Sequence, residues 1–433
     1  MEYQTLYYQI KDLMKQGGGV DRVLGIRLEK HDFTSAGAMI LPGKSKYYCA
    51  SHKTIFTENT EAQPPKGKDT VSDKDGVDAV GPPFSQPAAT ENGSEFKLHP
   101  SKMEDSDIAE NRHFSYYIMH PVRSGRSKGV ILLFHGLNEK SWEKYLPWAV
   151  SMVRLTGKSV ILLPIAFHMD RAPKSWSDTR AMQKIAEARK VKYPAYSHIS
   201  AVNTAISIRL GNHPDRLFWS GLQTYQDVCM LIKKIKKGSV SGIAGDCTID
   251  FFAYSIGAFL SLILLMANPC GYFSQTRLFS FCGGTTLDRS FPISKYILDS
   301  NGGHRLNSYF SEQLHNRFMA SERLAHYMDQ HPGEDCFKYM LHYNLYKEQR
   351  EAKMAAIAHR ILAVPLKKDT VIPPVEVIST LKGDYRDIAT RVEPVDFDFP
   401  YDHVHPFSLM DKYRHTTTRA YQQLMQKAAD FLS

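Results

Sequence analysis

The sequence predicts an α/β protein: a mostly parallel central sheet flanked by helices, with helical cap insertions and an N-terminal extension. Three observations predict it. Beyond residue 111 short apolar runs alternate with helix-like segments, as in a parallel sheet covered on both faces. One stretch, DFFAYSIGAFLSLILLMANP at 250–269, reads as a buried strand, a serine between small residues, and an apolar helix. The last two strand-like runs end in polar loops, the first holding an aspartate and the second two histidines.

Residues 1–57 are expected to form an N-terminal extension, an amphipathic helix pattern followed by the strand-like runs AGAMILPG and KYYCASH. Residues 58–111 are rich in Pro, Gly, Asp and Lys and poor in large apolar side chains, which predicts a linker or long loop. The main domain is expected over 112–433. Its strands are placed at 114–122, 129–136 (GVILLFHG) and 159–168 (SVILLPIAFH), then at CTIDFFAYS, 277–284, 360–366 and 391–399. Helices are placed at 143–155, 222–236 and 409–432. Two intervals, about 170–221 and 287–348, are too long for simple crossovers. Insertions after strands at the carboxyl edge of such a sheet build a lid over the site.

Composition narrows the partners. The 54 Lys and Arg against 45 Asp and Glu leave a net charge of +9, a mild excess. Its densest run, KKIKK at 233–237, suits the last turn of a helix, where cations favour the dipole. No basic–aromatic interleaving points to nucleic acid, so no nucleic-acid partner is expected. The uncharged run 251–267 is at the short end for a membrane span and divides into strand and helix, so no integral membrane segment is expected. The six cysteines show no C-x-x-C pair and no metal spacing, and neither metal nor cofactor is expected. The N-terminus lacks a signal-peptide pattern, which predicts a cytoplasmic protein.

Ser255 lies two residues after Ala253 and two before Gly257, one substitution from the G-x-S-x-G elbow. A serine at a sharp strand-to-helix turn needs small residues on either side, because those side chains face each other across the turn. A serine hydroxyl also needs a histidine to take its proton and an acid to orient that histidine. Asp369, in the polar turn after RILAVPLKK, and His403, in the loop after the next strand, supply them in the order Ser, acid, His. Asp288 is the alternative acid and His405 the competing base. The oxyanion donors are expected to be the backbone N–H groups of Ile256 and of Leu137, the latter in the turn LLFHGLN. His135, Gly136, Tyr254, His168 and Arg171 are expected around the substrate pocket. His135 reads as a loop histidine on the oxyanion side. His168 and Arg171 could bind a substrate carboxylate or phosphate, or anchor the inserted loop.

With LLFHGLN, AYSIG, PLKKDTVIP and DHVHPF in this order, residues 114–433 resemble the α/β-hydrolase superfamily, and look like bacterial members carrying large cap insertions. The resemblance implies a Ser255–Asp369–His403 triad with Leu137 and Ile256 at the oxyanion hole. Ala253 in place of the first elbow glycine, the long insertions and the N-terminal segment depart from the minimal pattern. The expected function is a serine hydrolase cleaving an ester, thioester or amide of a small acyl substrate through an acyl-serine intermediate. The alternatives are an acyltransferase with the same triad and a non-catalytic binding protein on the same fold.

Overall fold

The computed structural model describes residues 2–44, 46–49, 52–57, 99–122, 125–314, 316, 321–331 and 333–433. Eleven strands fall among them: β1 (Gly19–Asp21), β2 (Ile26–Thr34), β3 (Lys46–Cys49), β4 (Thr54–Thr57), β5 (His113–Pro121), β6 (Ser127–Phe134), β7 (Ser159–Leu162), β8 (Ile243–Tyr254), β9 (Leu278–Phe281), β10 (Ile361–Val364) and β11 (Arg391–Val392). Nine of them form one sheet in the order β1-β2-β5-β7-β6-β8-β9-β10-β11, and β3 and β4 pair as a separate hairpin. From β7 to β11 every pairing is parallel, while β1–β2, β2–β5 and β5–β7 are antiparallel. The fold is an α/β-hydrolase fold. Strand order reverses at β6, which has β7 on one side and β8 on the other. The carboxyl ends of β6 and β8 therefore flank a crevice at a topological switch point.

Alternation along the strands divides the apolar side chains between two cores. Ile131, Leu133, Phe252, Phe279 and Leu362 point to one face, where they meet α1 (Tyr3–Lys15), α2 (Leu146–Thr156) and the closing helix Arg414–Leu432. Leu132, Phe134, Phe251, Leu278 and Ile361 point to the other. There they meet the helices Arg216–Lys236 and Ile256–Ala267. Because both faces are covered, the central strands carry continuous apolar runs such as VILLF in β6 and the FFAY end of β8, which is why they are so plain in the sequence.

The longer helices after α2 are α3 (Thr179–Lys192), α4 (Thr204–Asn212), α5 (Arg216–Lys236), α6 (Ile256–Ala267), α7 (Ser300–Ser308), α8 (Lys347–Ile357), α9 (Pro374–Lys382) and α10 (Arg414–Leu432). The interval after β7 carries α3 and α4, and the interval after β9 carries α7. The two intervals are joined by Arg189–Asp299 at 2.5 Å and by the Asp299 N–H donating to Ser207 Oγ at 2.9 Å.

Several elements differ from their sequence-based bounds. The N-terminal residues are hydrogen-bonded into the main sheet, β2 pairing with β5 from Ile26↔Pro121 to Thr34↔His113. Of the segment read as linker, 58–98 lies outside the described residues. Residues 99–111 are docked: Asp105 pairs with Arg209 and Arg216, and Asn111 Nδ2 donates to Gln223 Oε1 at 2.8 Å. Apart from Ile108 and Met103, which pack on Trp176 and its neighbours, polar side chains hold this stretch, so a scan for apolar residues passes over it. The run 391–399 keeps only two residues of strand, followed by a Leu366↔Val395 bridge.

Candidate active site

Ser255 sits between β8 and α6 with φ 56° and ψ −122°, a strained conformation for a residue with a Cβ. The local sequence accommodates it by removing side chains around the turn. A Cβ on Gly257 would lie 2.7 Å from Phe134 Cβ and 2.9 Å from the His135 carbonyl oxygen, so this residue must be glycine for α6 to pass β6. A Cβ on Gly283 would lie 2.5 Å from Ala258 Cβ and 2.9 Å from the Ser255 carbonyl oxygen. Gly283, just past β9, is a requirement that the sequence reading missed; its signal was the Gly-Gly pair ending FSFCGG. Ala253 is buried within the sheet and tolerated there.

Three side chains expected to act together are brought together. Ser255 Oγ lies 2.8 Å from His403 Nε2, and His403 Nδ1 lies 2.7 Å from Asp369 Oδ2. All three residues are buried. The other carboxylate oxygen of Asp369 accepts 2.9 Å hydrogen bonds from the N–H groups of both Val371 and Ile372, which aims the carboxylate at the imidazole. The Tyr254 ring stacks on His403 at 5.5 Å with a 26° interplanar angle, and its hydroxyl donates to the His403 carbonyl oxygen. Tyr254 thus supports the imidazole from one side.

The two alternatives are engaged elsewhere. Asp288 accepts from the Tyr343 N–H through both oxygens at 3.0 Å. His405 is exposed and lies 3.2 Å from Asp402, whose carboxyl is held down at about 2 by hydrogen bonds from His405.

The turn after β6 is held from behind. His135 is fully buried, its Nδ1–H donating to the Gly136 carbonyl at 2.8 Å and its Nε2 accepting from the Ile165 N–H at 2.9 Å. His168 Nε2 accepts from the Asn138 N–H at 2.9 Å, and its Nδ1–H donates to the Ala166 carbonyl at 2.9 Å. Burial pushes each imidazole down to about 3, so both are neutral and serve as fixed donor–acceptor struts. Asn138, at φ 61°, donates through Nδ2 to the carbonyls of Val202 and Tyr296, tying the turn to both insertions. Gly136 donates to Tyr145 Oη at 2.9 Å, and that hydroxyl donates to Glu139 Oε1 at 2.7 Å. Asn138, Glu139 and Tyr145 are further site residues that sequence reasoning missed, since each looks like an ordinary loop or helix residue.

Arg171 does not reach the pocket. It is fully buried, pairs with Asp227 at 2.8 Å, donates to Asn111 Oδ1 at 3.1 Å and stacks on Phe114. Of the two readings open for it, the structure gives it the anchoring one.

Two clefts meet at Ser255. The larger, of about 190 Å³, is lined by Gly136, Asn138, Lys144, Tyr254 and His403. A small apolar one of about 40 Å³ is lined by Phe259, Leu287, Ile297, Leu306, Val371 and Ile372. Leu137 borders both, and Ile256 borders the apolar one. A much larger groove, lined by Lys158, Asp250, Arg277 and Ser433, sits at the opposite end of the strands.

Residues 85–433 match a family described as "Family of unknown function (DUF6051)". The chain belongs to that family. No curated protein matches it. Among solved structures it is similar to carboxyl esterase 2 of the mycorrhizal fungus Tuber melanosporum, at 14% identity over 74% of this chain and 82% of that one, TM-score 0.42. It is also similar to a hyperthermophilic esterase from the archaeon Pyrobaculum calidifontis, at 11% identity over 73% and 80%, TM-score 0.37. A thermostable esterase from Pseudomonas putida ECU1011 shares 13% identity over 74% and 80%, TM-score 0.35.

Among the described residues, no helix is long and apolar enough to cross a membrane. The apolar run that raised that question is the end of β8 together with α6.

Proposed function

We propose that this protein is a serine hydrolase of the α/β-hydrolase superfamily that cleaves an ester, thioester or amide of a short acyl group. The observation that carries the reading is the continuous chain of contacts Ser255 Oγ–His403 Nε2 at 2.8 Å and His403 Nδ1–Asp369 Oδ2 at 2.7 Å. Ser255 attacks the carbonyl carbon as its proton passes to His403 Nε2. The oxyanion that forms accepts from the N–H groups of Leu137 and Ile256. His403 then gives its proton to the leaving group, and Asp369 stabilises the imidazolium without taking the proton. Water, deprotonated by the same imidazole, attacks the acyl-serine, and His403 returns that proton to Ser255 Oγ as the acyl–oxygen bond breaks and the acid leaves.

The size of the apolar cleft supports a short acyl chain. Its 40 Å³ exceeds the roughly 10–15 Å³ that admits one water but leaves room for only a few heavy atoms. The leaving group occupies the larger cleft. Against a series of p-nitrophenyl esters, acetate and propionate should therefore give the highest kcat/KM, with a steep fall by octanoate. A preference rising with chain length would contradict the short-acyl assignment. No turnover of any ester, thioester or amide, with acyl transfer only when an acceptor alcohol or amine is supplied, would select the acyltransferase instead.

A further inference from the structure

A second constellation lies outside the serine site, where the β3–β4 hairpin meets the second insertion. Cys49 ends β3 and His52 follows it in the connecting turn, while His326 lies in the helical segment 322–330 and His331 directly follows that segment. Cys49 Sγ lies 3.2 Å from His331 Nε2 and 3.6 Å from His52 Nδ1. The thiol sulfur and one ring nitrogen from each of the three histidines all fall within 4.8 Å of one another. A tetrahedral zinc ion with bonds of about 2.0–2.3 Å holds its donors roughly 3.3–3.8 Å apart, so a small contraction closes the set.

The surroundings orient these donors. Glu334 Oε2 lies 2.6 Å from His331 Nδ1, and Gln330 Oε1 lies 3.2 Å from His326 Nδ1, leaving Nε2 of each ring turned to the cluster. Carboxylate and amide oxygens behind an imidazole are the usual outer partners of metal-bound histidine. His326 Nε2 is buried and has no hydrogen-bond partner among the described residues, an arrangement that calls for a ligand. The rings of His52, His326 and His331 meet pairwise at 69–87°, edge to face, with centroids 4.7–5.4 Å apart. Packed for their own sake they would have no reason to converge their nitrogens on a thiol.

We propose that Cys49, His52, His326 and His331 form a closed, four-ligand zinc site that ties the β3–β4 hairpin to the cap. One thiolate and three imidazoles are borderline-soft donors that suit zinc, and four protein ligands leave no open position, as in structural sites. On binding, Cys49 gives its thiol proton to solvent and the thiolate joins the metal. The hairpin needs such a clip: its own buried apolar cluster is Tyr47, Cys49 and Phe56, too few for a two-stranded unit to hold its place alone. The sequence signal is C-x2-H at 49–52 with H-x4-H at 326–331, which a search for paired cysteines overlooks.

The test uses the full chain without a histidine tag, stripped with a chelator and titrated with zinc and, separately, cobalt. The expected result is one zinc per chain that survives desalting. The cobalt form should show the intense visible bands of tetrahedral coordination and a near-ultraviolet thiolate-to-metal band. Cys49→Ser should abolish the thiolate band, and Glu334→Gln should weaken zinc binding about tenfold. Ser255→Ala should bind zinc as the wild type does. The wild-type cobalt spectrum decides the matter even where a variant fails to fold. Failure to bind one equivalent, a six-coordinate cobalt spectrum, or unchanged binding in folded Cys49→Ser would overturn the proposal.

Discussion

At the residue scale, the site is defined by which polar atoms have a partner and which are left to act. Asp369 uses one carboxylate oxygen to accept two backbone N–H groups and the other to hold His403. His405, two residues on, is spent on Asp402 at the surface. Asp369→Asn should lower kcat by roughly 10³–10⁴ through the wrong imidazole tautomer, while His405→Ala leaves the rate constants unchanged. Steady-state kinetics on the same ester checks both. A second residue-scale consequence concerns pH. His168 is held down at about 3 by burial, below its unfolded value near 6.5. As pH falls through 6.5 the unfolded chain takes up a proton that the native state refuses. The stability contributed by neutral His168 is therefore complete above about pH 6.5 and lost toward about pH 3, at up to about 1.4 kcal/mol per pH unit. His168→Gln, which keeps an acceptor for the Asn138 N–H, should flatten the stability–pH curve in that window, measured by urea unfolding at a series of pH values.

At the element scale, function depends on turns at strand ends being held where the sheet delivers them. The Ser255 elbow requires Gly257 against β6 and Gly283 against α6, and the turn after β6 is braced by His135, His168 and Tyr145. The loop after β7 is fixed by Arg171 in a buried pair with Asp227, each fully enclosed. Arg171→Met leaves that carboxylate without its cation and should cost about 3–5 kcal/mol, and Asp227→Asn in the same chain should restore part of it. Thermal denaturation of the two single variants and the double variant tests this coupling. How much of this was readable follows from the physics of each element. Central strands, with Ser255 and Asp369 just past β8 and β10, were legible because burial on both faces makes a continuous apolar run and the chemistry falls just beyond it. His403 was found from the order acid then histidine, since β11 is a two-residue edge strand. The strand at 391–399 was overextended because apolar alternation there serves aromatic packing among Phe397, Phe399 and Tyr401 rather than a ladder. Arg171 and His168 could be read either as binders or as anchors, since only three-dimensional partners distinguish a buried ion from an exposed one.

At the scale of the whole molecule, the sheet reversal at β6 places the crevice, and the two insertions, joined through Asp299 and Asn138, close over it. The N-terminal residues complete the antiparallel edge of the sheet through β2, and the docked stretch 99–111 fills a position that composition alone assigns to a linker. The second insertion lines the apolar cleft through Leu287, Ile297 and Leu306, and residue spacing within it did not reveal the size because Phe259, Val371 and Ile372 from distant segments complete it. The proposed activity rests on Ser255 acting as a nucleophile activated by His403 and Asp369. It is tested most directly by incubating the native protein with a fluorophosphonate, then measuring intact mass and mapping the labelled peptide. The expected result is one phosphonyl adduct per chain on Ser255, with labelling lost in Ser255→Ala and slowed strongly in His403→Ala. An unlabelled native protein, or an adduct on any residue other than Ser255, would contradict it.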